Sequence, residues 1–216
     1  MGRITAEYRQ RMYALLELYA RPYDPAEPVI CVDEKNKQLL QQTRAPLAAH
    51  PGAVAKEDYE YKRAGTCNLF MAVEPKGHQR VVDVTARRTK PDFVAFVMHL
   101  AQQVYAGAKR LHVVLDNLNT HFRSCFEDVL GSEAAATVLD RVEFHYPPKH
   151  ASWLNQAELE IGIMEKQCTG RRMATAAYVA TEVAAWQHRR NVEKRGINWK
   201  FTCEKADQKL GRHYVT

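Results

Sequence analysis

The sequence predicts an α/β fold with a mixed five-stranded sheet flanked by helices. Two observations support this prediction. Short, continuous apolar runs, typical of strands that are buried on both faces, recur along the chain. Amphipathic helical patterns separate the later runs but not the earlier ones. We therefore expect the early strands to pair as a meander and the later strands to lie parallel.

Length and composition indicate one soluble globular domain. The chain has 216 residues, of which 46% are hydrophobic and 26% charged. No apolar run approaches the roughly 20 residues that a membrane helix needs, and the N-terminus lacks the apolar core of a signal peptide. We therefore expect a cytoplasmic location and no membrane partner. The five cysteines are scattered singly, which argues against a disulfide framework and against a structural zinc.

The positive charge is concentrated near one end of the chain. The net charge is +6, and residues 166–212 hold 11 Lys and Arg against 4 Asp and Glu. A basic patch confined to one region indicates a polyanionic partner, with nucleic acid as the first candidate. A solvated helical face is an equally open interpretation of the charge alone.

The first part of the chain predicts a helix followed by three strands. Residues 3–20 have helical periodicity, and a proline-rich connector follows. The apolar run 29–32 leads directly into Asp33, and a buried strand that ends in a carboxylate requires a partner or a metal. Residues 36–63 are polar and contain Pro46 and Pro51, which predicts a long loop. Two further strands then form a hairpin, at 66–73 and 80–85.

The second part alternates helices and strands. Thr89 and Pro91 are suited to begin a helix that Gly107 closes. The remaining predicted elements are a strand at 111–115 that ends in Asp116, helices near 121–130 and 133–139, a strand at 142–146, a helix from Ser152, a helix at 174–190, and a basic tail anchored by Trp199 and Phe201. The predicted regions are an N-terminal helix and linker (1–28), a catalytic domain (29–190) and a basic tail packed on it (191–216).

Three acids define the predicted site. Asp33 and Asp116 follow two strands, and the carboxyl ends of strands are where ligands bind in such sheets. The helix from Ser152 supplies the third carboxylate, and periodicity leaves Glu158 and Glu160 as equal alternatives. Three carboxylates suit Mg²⁺ or Mn²⁺, and two such ions can clamp the attacking and leaving oxygens of a phosphodiester. The predicted reaction is nucleotidyl or phosphoryl transfer on nucleic acid.

Three segments also carry a resemblance to a known family. VICVDEK (29–35), VVLDNLNTH (113–121) and YPPKHASWLNQAELE (146–160) resemble the catalytic motifs of DDE transposases of the Tc/mariner superfamily, in its bacterial insertion-sequence branch. The resemblance implies a ribonuclease H-like fold and a catalytic, metal-binding set of Asp33, Asp116 and Glu158, with Glu158 chosen by the pattern Leu-Asn-x-x-Glu. It also implies two Mg²⁺ (or Mn²⁺) ions, and cleavage and strand transfer of DNA at transposon inverted-repeat ends. The implied partners are those ends, a target DNA with a TA site, and a second copy in a homodimer.

The chain departs from the family pattern in two respects. Family members carry helix-turn-helix segments before the catalytic domain, so residues 1–28 are interpreted as a remnant after a missing region. Asp116 and Glu158 are 42 positions apart, a longer spacing than is common in the superfamily, and an insertion around 131–141 would explain it.

Several polar residues are candidates for contacts with nucleic acid, although turn formation, an exposed loop charge or a solvated helix face is the ordinary alternative for each. They are Asn117, Asn119, His121, Lys149, His150, Arg171, Arg172, Arg189 and Arg190. Two other functions stay open: a ribonuclease H-like nuclease that acts on other nucleic acids, and a non-catalytic, DNA-binding or dimerising transposase remnant.

Overall fold

The protein is built around one mixed β-sheet. The structure, a computed structural model, describes residues 3–116 and 123–214. The strand order is β3-β2-β1-β4-β5, with β1 (Val29–Gln42), β2 (Tyr61–Glu74), β3 (Gln79–Thr85), β4 (Leu111–Val114) and β5 (Val142–His145). The first three strands pair antiparallel, whereas β1, β4 and β5 are parallel. The predicted mixed five-stranded sheet is therefore confirmed.

Helices cover both faces of this sheet. They are α1 (Ala6–Ala20), α2 (Lys90–His99), α3 (Ser124–Leu130), α4 (Ser132–Leu139), α5 (Ala157–Met164), α6 (Ala176–Val192) and α7 (Cys203–Leu210). Both α2 and α5 continue into a five-residue π-helical segment. Thr89 and Asp92 form a reciprocal capping box at the start of α2, in agreement with the predicted cap at Thr89. Within the described ranges, no helix is long and apolar enough to cross a membrane.

The hairpin of β1 and β2 is longer than the sequence predicts. Each strand has 14 residues, and they are paired from Cys31↔Val73 to Gln42↔Tyr61. The prediction of a loop over 36–63 was therefore wrong, since only residues 43–60 connect the two strands. The far part of the hairpin is largely exposed and polar, so no apolar alternation marks it. Its backbone groups pair with each other, which stabilises the ladder although few of its side chains, such as Leu39, are buried.

The two faces of the sheet have different coverings. On one face, Phe93 and Phe96 of α2 and Phe126 of α3 pack on buried strand residues. On the other face, which we call the α5 face, α1, α5 and α6 cover the sheet, and α7 packs beside α1. The predicted anchors of the tail lie here: the ring centroid of Trp199 is 5.6 Å from that of Tyr19. The division of the chain at residues 28 and 190 stays a prediction.

A buried ion cluster fixes α5 on its face of the sheet. The Arg80 side chain on β3 and the Glu160 side chain on α5 are both 0% exposed. Arg80 Nε donates to Glu160 Oε1 at 2.8 Å, and Arg80 Nη2 donates to Oε2 at 3.2 Å. Arg190 on α6 donates its Nε to the same Oε1 at 3.0 Å. One carboxylate thus joins β3, α5 and α6.

We predict that Glu160→Gln lowers the free energy of unfolding by about 3–5 kcal/mol, because two buried guanidinium groups lose their counter-charge. Glu158→Gln in the same helix is the matched control, and its exposed side chain predicts a change within about 0.5 kcal/mol. Urea denaturation of both variants measures the difference. Equal stabilities would show that the ion cluster does not hold α5.

Candidate active site

Asp33 and Asp116 lie where β1 and β4 separate. The last paired residues of these parallel strands are Cys31 and Val114. Each acid is two positions further along its chain, and alternate residues of an extended chain point to the same face. Asp33 does not end its strand as predicted, since β1 continues to Gln42 in its pairing with β2. The two acids nevertheless follow the last β1–β4 pair at equivalent positions.

Burial and neighbouring negative charge act strongly on Asp33. Burial, together with the charges of Asp116, Glu34 and Glu158, raises the pKa of its carboxyl to about 7. The Glu34 backbone N–H donates to Asp33 Oδ1 at 2.8 Å and opposes the shift. The charges of Asp116 and Glu158 thus act on Asp33 from two other elements of the fold. We call Asp33, Asp116 and Glu158 the acid triad.

The structure separates Glu158 from its rival Glu160. Glu160 is fully buried and bonded to Arg80 and Arg190, so its charge is already compensated inside the protein. Glu158 is exposed in the first turn of α5 and acts electrostatically on Asp33. Within residues 3–116 and 123–214, neither Asp33 nor Glu158 forms an ion pair. Glu160 therefore has a structural role, and Glu158 as the third acid stays a prediction.

Asn155 holds the start of α5 against β1. Its side chain is fully buried, and its Nδ2 donates to the Val32 carbonyl, one residue before Asp33, at 2.8 Å. Its Oδ1 accepts from the Ala157 backbone N–H at 3.2 Å. The sequence analysis gave no role to Asn155, although it stands in the pattern that selects Glu158. Its two bonds connect the strand of Asp33 to the helix of Glu158.

The far end of α5 is also attached to β1. Lys35 Nζ donates to Glu165 Oε2 at 3.2 Å, and Lys37 Nζ donates to the Arg171 carbonyl at 2.9 Å. These contacts and the Asn155 bonds place the helix along the strand that carries Asp33. Glu34, the residue between Asp33 and Lys35, does not take part in these contacts. Its side chain is 3% exposed, and its Oε1 pairs with Arg88 Nη1 at 3.1 Å.

The acid triad has the chemistry of a site for a hard divalent cation. Carboxylate oxygens are the ligands that Mg²⁺ and Mn²⁺ prefer, and the negative charge around Asp33 is of the sign that a cation compensates. In the described residues, however, the side chains that already converge as metal ligands are His112, Glu143 and His145. Mutual repulsion of like charges opposes such convergence in the triad. The donor set fits the predicted cation by its chemistry.

Some predicted nucleic-acid contacts lie in loops near the triad. Asn117, Asn119 and His121 lie outside the described residues. Lys149 and His150 are exposed in the turn between β5 and α5, and His150 has a φ of 66°. Their position before the helix of Glu158 agrees with the expected loop. A phosphate contact by either residue stays a prediction.

The four arginine candidates have different environments. Arg189 is exposed near the end of α6, whereas the Arg190 side chain is 10% exposed and bound to Glu160. Arg190 is therefore a structural residue. The prediction that it contacts phosphate was wrong, because its side chain is buried against Glu160. Arg171 pairs with Glu182. Arg172 donates to Gln42 Oε1 at 2.7 Å and supports the hairpin.

One cavity in the described part of the structure is separate from the triad. It has a volume of about 590 Å³ and is lined by the end of α1, by Glu74 and His78 beside the β2–β3 turn, and by Trp199. None of the three acids lines it. The triad therefore lies outside the enclosed space that a small-molecule substrate usually occupies, and an open edge is compatible with a long polymeric substrate.

Comparison with known proteins gives a family match and a fold match. The sequence model of the family described as "DDE superfamily endonuclease" matches residues 28–178. Comparison with curated protein sequences gave no significant match.

Solved structures of the Mos1 mariner transposase have the same fold. The strand transfer complex matches with a TM-score of 0.60 at 12% identity, and the match covers 97% of this chain and 61% of the Mos1 chain. The paired-end complex with Mn has a TM-score of 0.56 at 13% identity, and covers 95% and 60%. The paired-end complex with Mg has a TM-score of 0.57 at 14% identity, and covers 97% and 63%. The chain thus spans about three fifths of these structures, and the predicted ribonuclease H-like fold is confirmed.

We predict that the raised pKa of Asp33 makes the metal-free protein less stable as the pH rises. The protonated carboxyl is favoured in the folded state, so its contribution is complete below the ordinary pKa of 3.8 and is lost as the pH passes the folded value of about 7. Relative to Asp33→Asn, the free energy of unfolding of the unaltered chain should fall by about 4 kcal/mol between about pH 4 and 8. Urea denaturation in a chelator measures this difference. The exposed Asp83→Asn is the control, and parallel pH profiles for all three proteins would contradict the prediction.

We predict that Asn155→Ala lowers the free energy of unfolding by about 1–3 kcal/mol, because the buried Val32 carbonyl loses its donor. Asn36→Ala, at an exposed position in β1, should change it by less than about 0.5 kcal/mol. Thermal and urea unfolding check both values. Equal effects of the two substitutions would mean that the Asn155 bonds do not hold α5.

Proposed function

The chain belongs to the DDE superfamily endonuclease family, and from that premise we propose that it is the catalytic domain of a transposase of the Tc/mariner type. The proposed activity is divalent-metal-dependent cleavage of DNA and transfer of the cut strand at transposon inverted-repeat ends. The family match covers residues 28–178, which include all three acids of the triad. The fold shared with Mos1 supports the same assignment.

One observation carries the proposal. The charge on Glu158 reaches Asp33, while the neighbouring Glu160 is neutralised by two arginines. Of the two acids in the first turn of α5, Glu160 thus has a structural partner set, which supports Glu158 as the acid available to a cation. Negative charge is costly to gather in a folded protein unless it serves a ligand of opposite sign.

We propose that Asp33, Asp116 and Glu158 hold two Mg²⁺ or Mn²⁺ ions. When bound, such ions activate the attacking water or sugar hydroxyl and stabilise the leaving oxygen of the phosphodiester. The chain itself positions these carboxylates. The two aspartates follow the last paired residues of β1 and β4, and Asn155 holds the start of α5, the helix of Glu158, against β1. Rigid strands and a fixed helix keep the carboxylates oriented before substrate arrives.

The partners in this proposal are transposon ends and target DNA. Lys149, His150 and Arg189 are exposed and provide positive or protonatable groups for phosphate contacts. The chain spans about three fifths of the Mos1 structures, whose complexes are described as paired-end and strand-transfer complexes. We propose that a homodimer of this chain pairs two ends. Recognition of the end sequence is then assigned to segments outside the catalytic domain.

We predict that the chain cuts labelled inverted-repeat DNA with Mn²⁺ or Mg²⁺, and that Asp116→Asn and Glu158→Gln each reduce the rate at least about 100-fold. Each substitution removes a negative charge where the cation binds. Glu133→Gln, on the exposed part of α4, is the matched control and should keep the rate. Gel analysis of the products measures cleavage and strand joining.

The same assay separates the alternative functions. Random duplex, branched DNA and RNA are included as substrates. Efficient cutting of these, without preference for transposon ends, would assign a ribonuclease H-like nuclease instead. DNA binding by the unaltered chain with no cleavage of any substrate would assign a non-catalytic remnant.

A further inference from the structure

A second group of metal-ligand side chains lies away from the acid triad, on strands β4 and β5. His112 is on β4, while Glu143 and His145 are on β5. The parallel pairing aligns His112 with Glu143 and Val114 with His145. Since Glu143 and His145 are two positions apart, their side chains point to the same face of this edge strand. The two histidines are 33 positions apart in the sequence, so spacing gave no sign of the group.

The three ligand side chains form a triangle of the size that a metal ion requires, in which each histidine is closest to a different oxygen of Glu143. His112 Nδ1 is 3.0 Å from His145 Nε2 and 3.6 Å from Glu143 Oε2. His145 Nε2 is 3.6 Å from Glu143 Oε1. Metal–ligand bonds of 2.0–2.2 Å in a tetrahedral site place neighbouring ligand atoms about 3.3 Å apart. The observed edges of the triangle lie on both sides of that value.

The groups around the triangle match the outer shell of a histidine metal site. Ligand histidines usually donate their second ring N–H to a carboxylate. His112 Nε2 is 3.7 Å from Glu27 Oε2, which can take this position when the ring proton lies on Nε2. Glu143 Oε2 accepts from Arg110 Nη1 at 3.2 Å, which leaves Oε1 for the ion.

A cationic neighbour gives the metal-free protein a different tautomer. Arg21 Nη1 donates to His112 Nε2 at 3.1 Å, since a guanidinium only donates. The ring proton of His112 then lies on Nδ1 and is donated to His145 Nε2. For an ion to bind, this proton must move to His112 Nε2, and the hydrogen bond from Arg21 Nη1 to His112 Nε2 must break. Arg21 retains a second partner in Glu27, at 3.0 Å.

Both rings have the protonation state that metal ligation needs. Burial lowers the pKa of His145 to about 4 and also lowers the pKa of His112, so the imidazoles are neutral at pH 7. The side chains of Glu143 and His145 are 45% and 22% exposed, which leaves a path for an ion from solvent. A cavity of about 300 Å³ beside His145, bordered by Arg11 and Leu15 of α1, has room for a water ligand.

We propose that His112 Nδ1, His145 Nε2 and Glu143 Oε1 bind a borderline transition-metal ion of the Zn²⁺ class, with water in the fourth position. Imidazole ligands select such ions over Mg²⁺, whereas the acid triad offers only carboxylates. The bound ion would join β4, the strand that leads to Asp116, to the edge strand β5. The site is independent of the proposed transposase chemistry.

Zn²⁺ binding to the full chain tests this proposal. We expect isothermal titration calorimetry to find one Zn²⁺ site in the unaltered chain and in the double variant Asp33→Asn/Asp116→Asn. His145→Ala should weaken binding at least about tenfold. The exposed His188→Ala is the matched control and should bind Zn²⁺ as the unaltered chain does. Zn²⁺ should also raise the Tm of every protein except His145→Ala, since an ion that binds the folded state stabilises it.

Three results would overturn the proposal: no Zn²⁺ binding, equal binding by His145→Ala, or loss of binding in the aspartate double variant alone. The last result would assign the ion to the acid triad. Glu143→Gln, with circular dichroism to confirm folding, serves as a second variant should His145→Ala fail to fold. Mg²⁺-dependent DNA cleavage by His145→Ala should persist, so a failure of the zinc site and a failure of the transposase assignment give different results.

Discussion

The buried carboxylate of Glu160 is the interaction on which the orientation of α5 depends. A charge at 0% exposure is tolerated only with close and well-directed partners, and Arg80 and Arg190 supply them from β3 and α6. Rotation of α5 about its axis would break these bonds and expose the apolar face that packs on β1 and β2. The direction of Glu158 is therefore fixed by a residue two positions away that takes no part in the proposed chemistry.

A second constraint comes from the end of parallel pairing between β1 and β4. Up to Cys31 and Val114 the two strands are paired, and two residues after these positions each chain segment carries an aspartate. Because β1 stays paired with β2, Asp33 is held by a rigid strand and not by a loop. Rigid support raises the electrostatic cost of gathering acids, since the strand cannot move to relieve repulsion. Burial, with a smaller contribution from the neighbouring acids, accordingly raises the pKa of Asp33.

The charged groups of the α5 face and its edge thus divide by their chemistry. Glu160 is neutralised by guanidinium groups, the acid triad has oxygen ligands for a hard cation, and His112 with its two neighbours offers nitrogen as well as oxygen. The carboxylates of the acid triad favour Mg²⁺ or Mn²⁺, whereas the imidazoles of the histidine group favour ions of the Zn²⁺ class.

The sequence by itself determined the α/β class, the five strands and the two strand aspartates, because apolar runs and their terminal acids are local patterns. It also determined the family, through three motifs taken together. It missed the extended hairpin, whose polar strands are stabilised by backbone pairing and not by burial. Only the tertiary structure decided that Glu160 is a buried ion-pair residue, because helical periodicity places both Glu158 and Glu160 beside the apolar stripe. The carboxylate of Glu160 meets Arg80 and Arg190, and those partners come from distant parts of the chain.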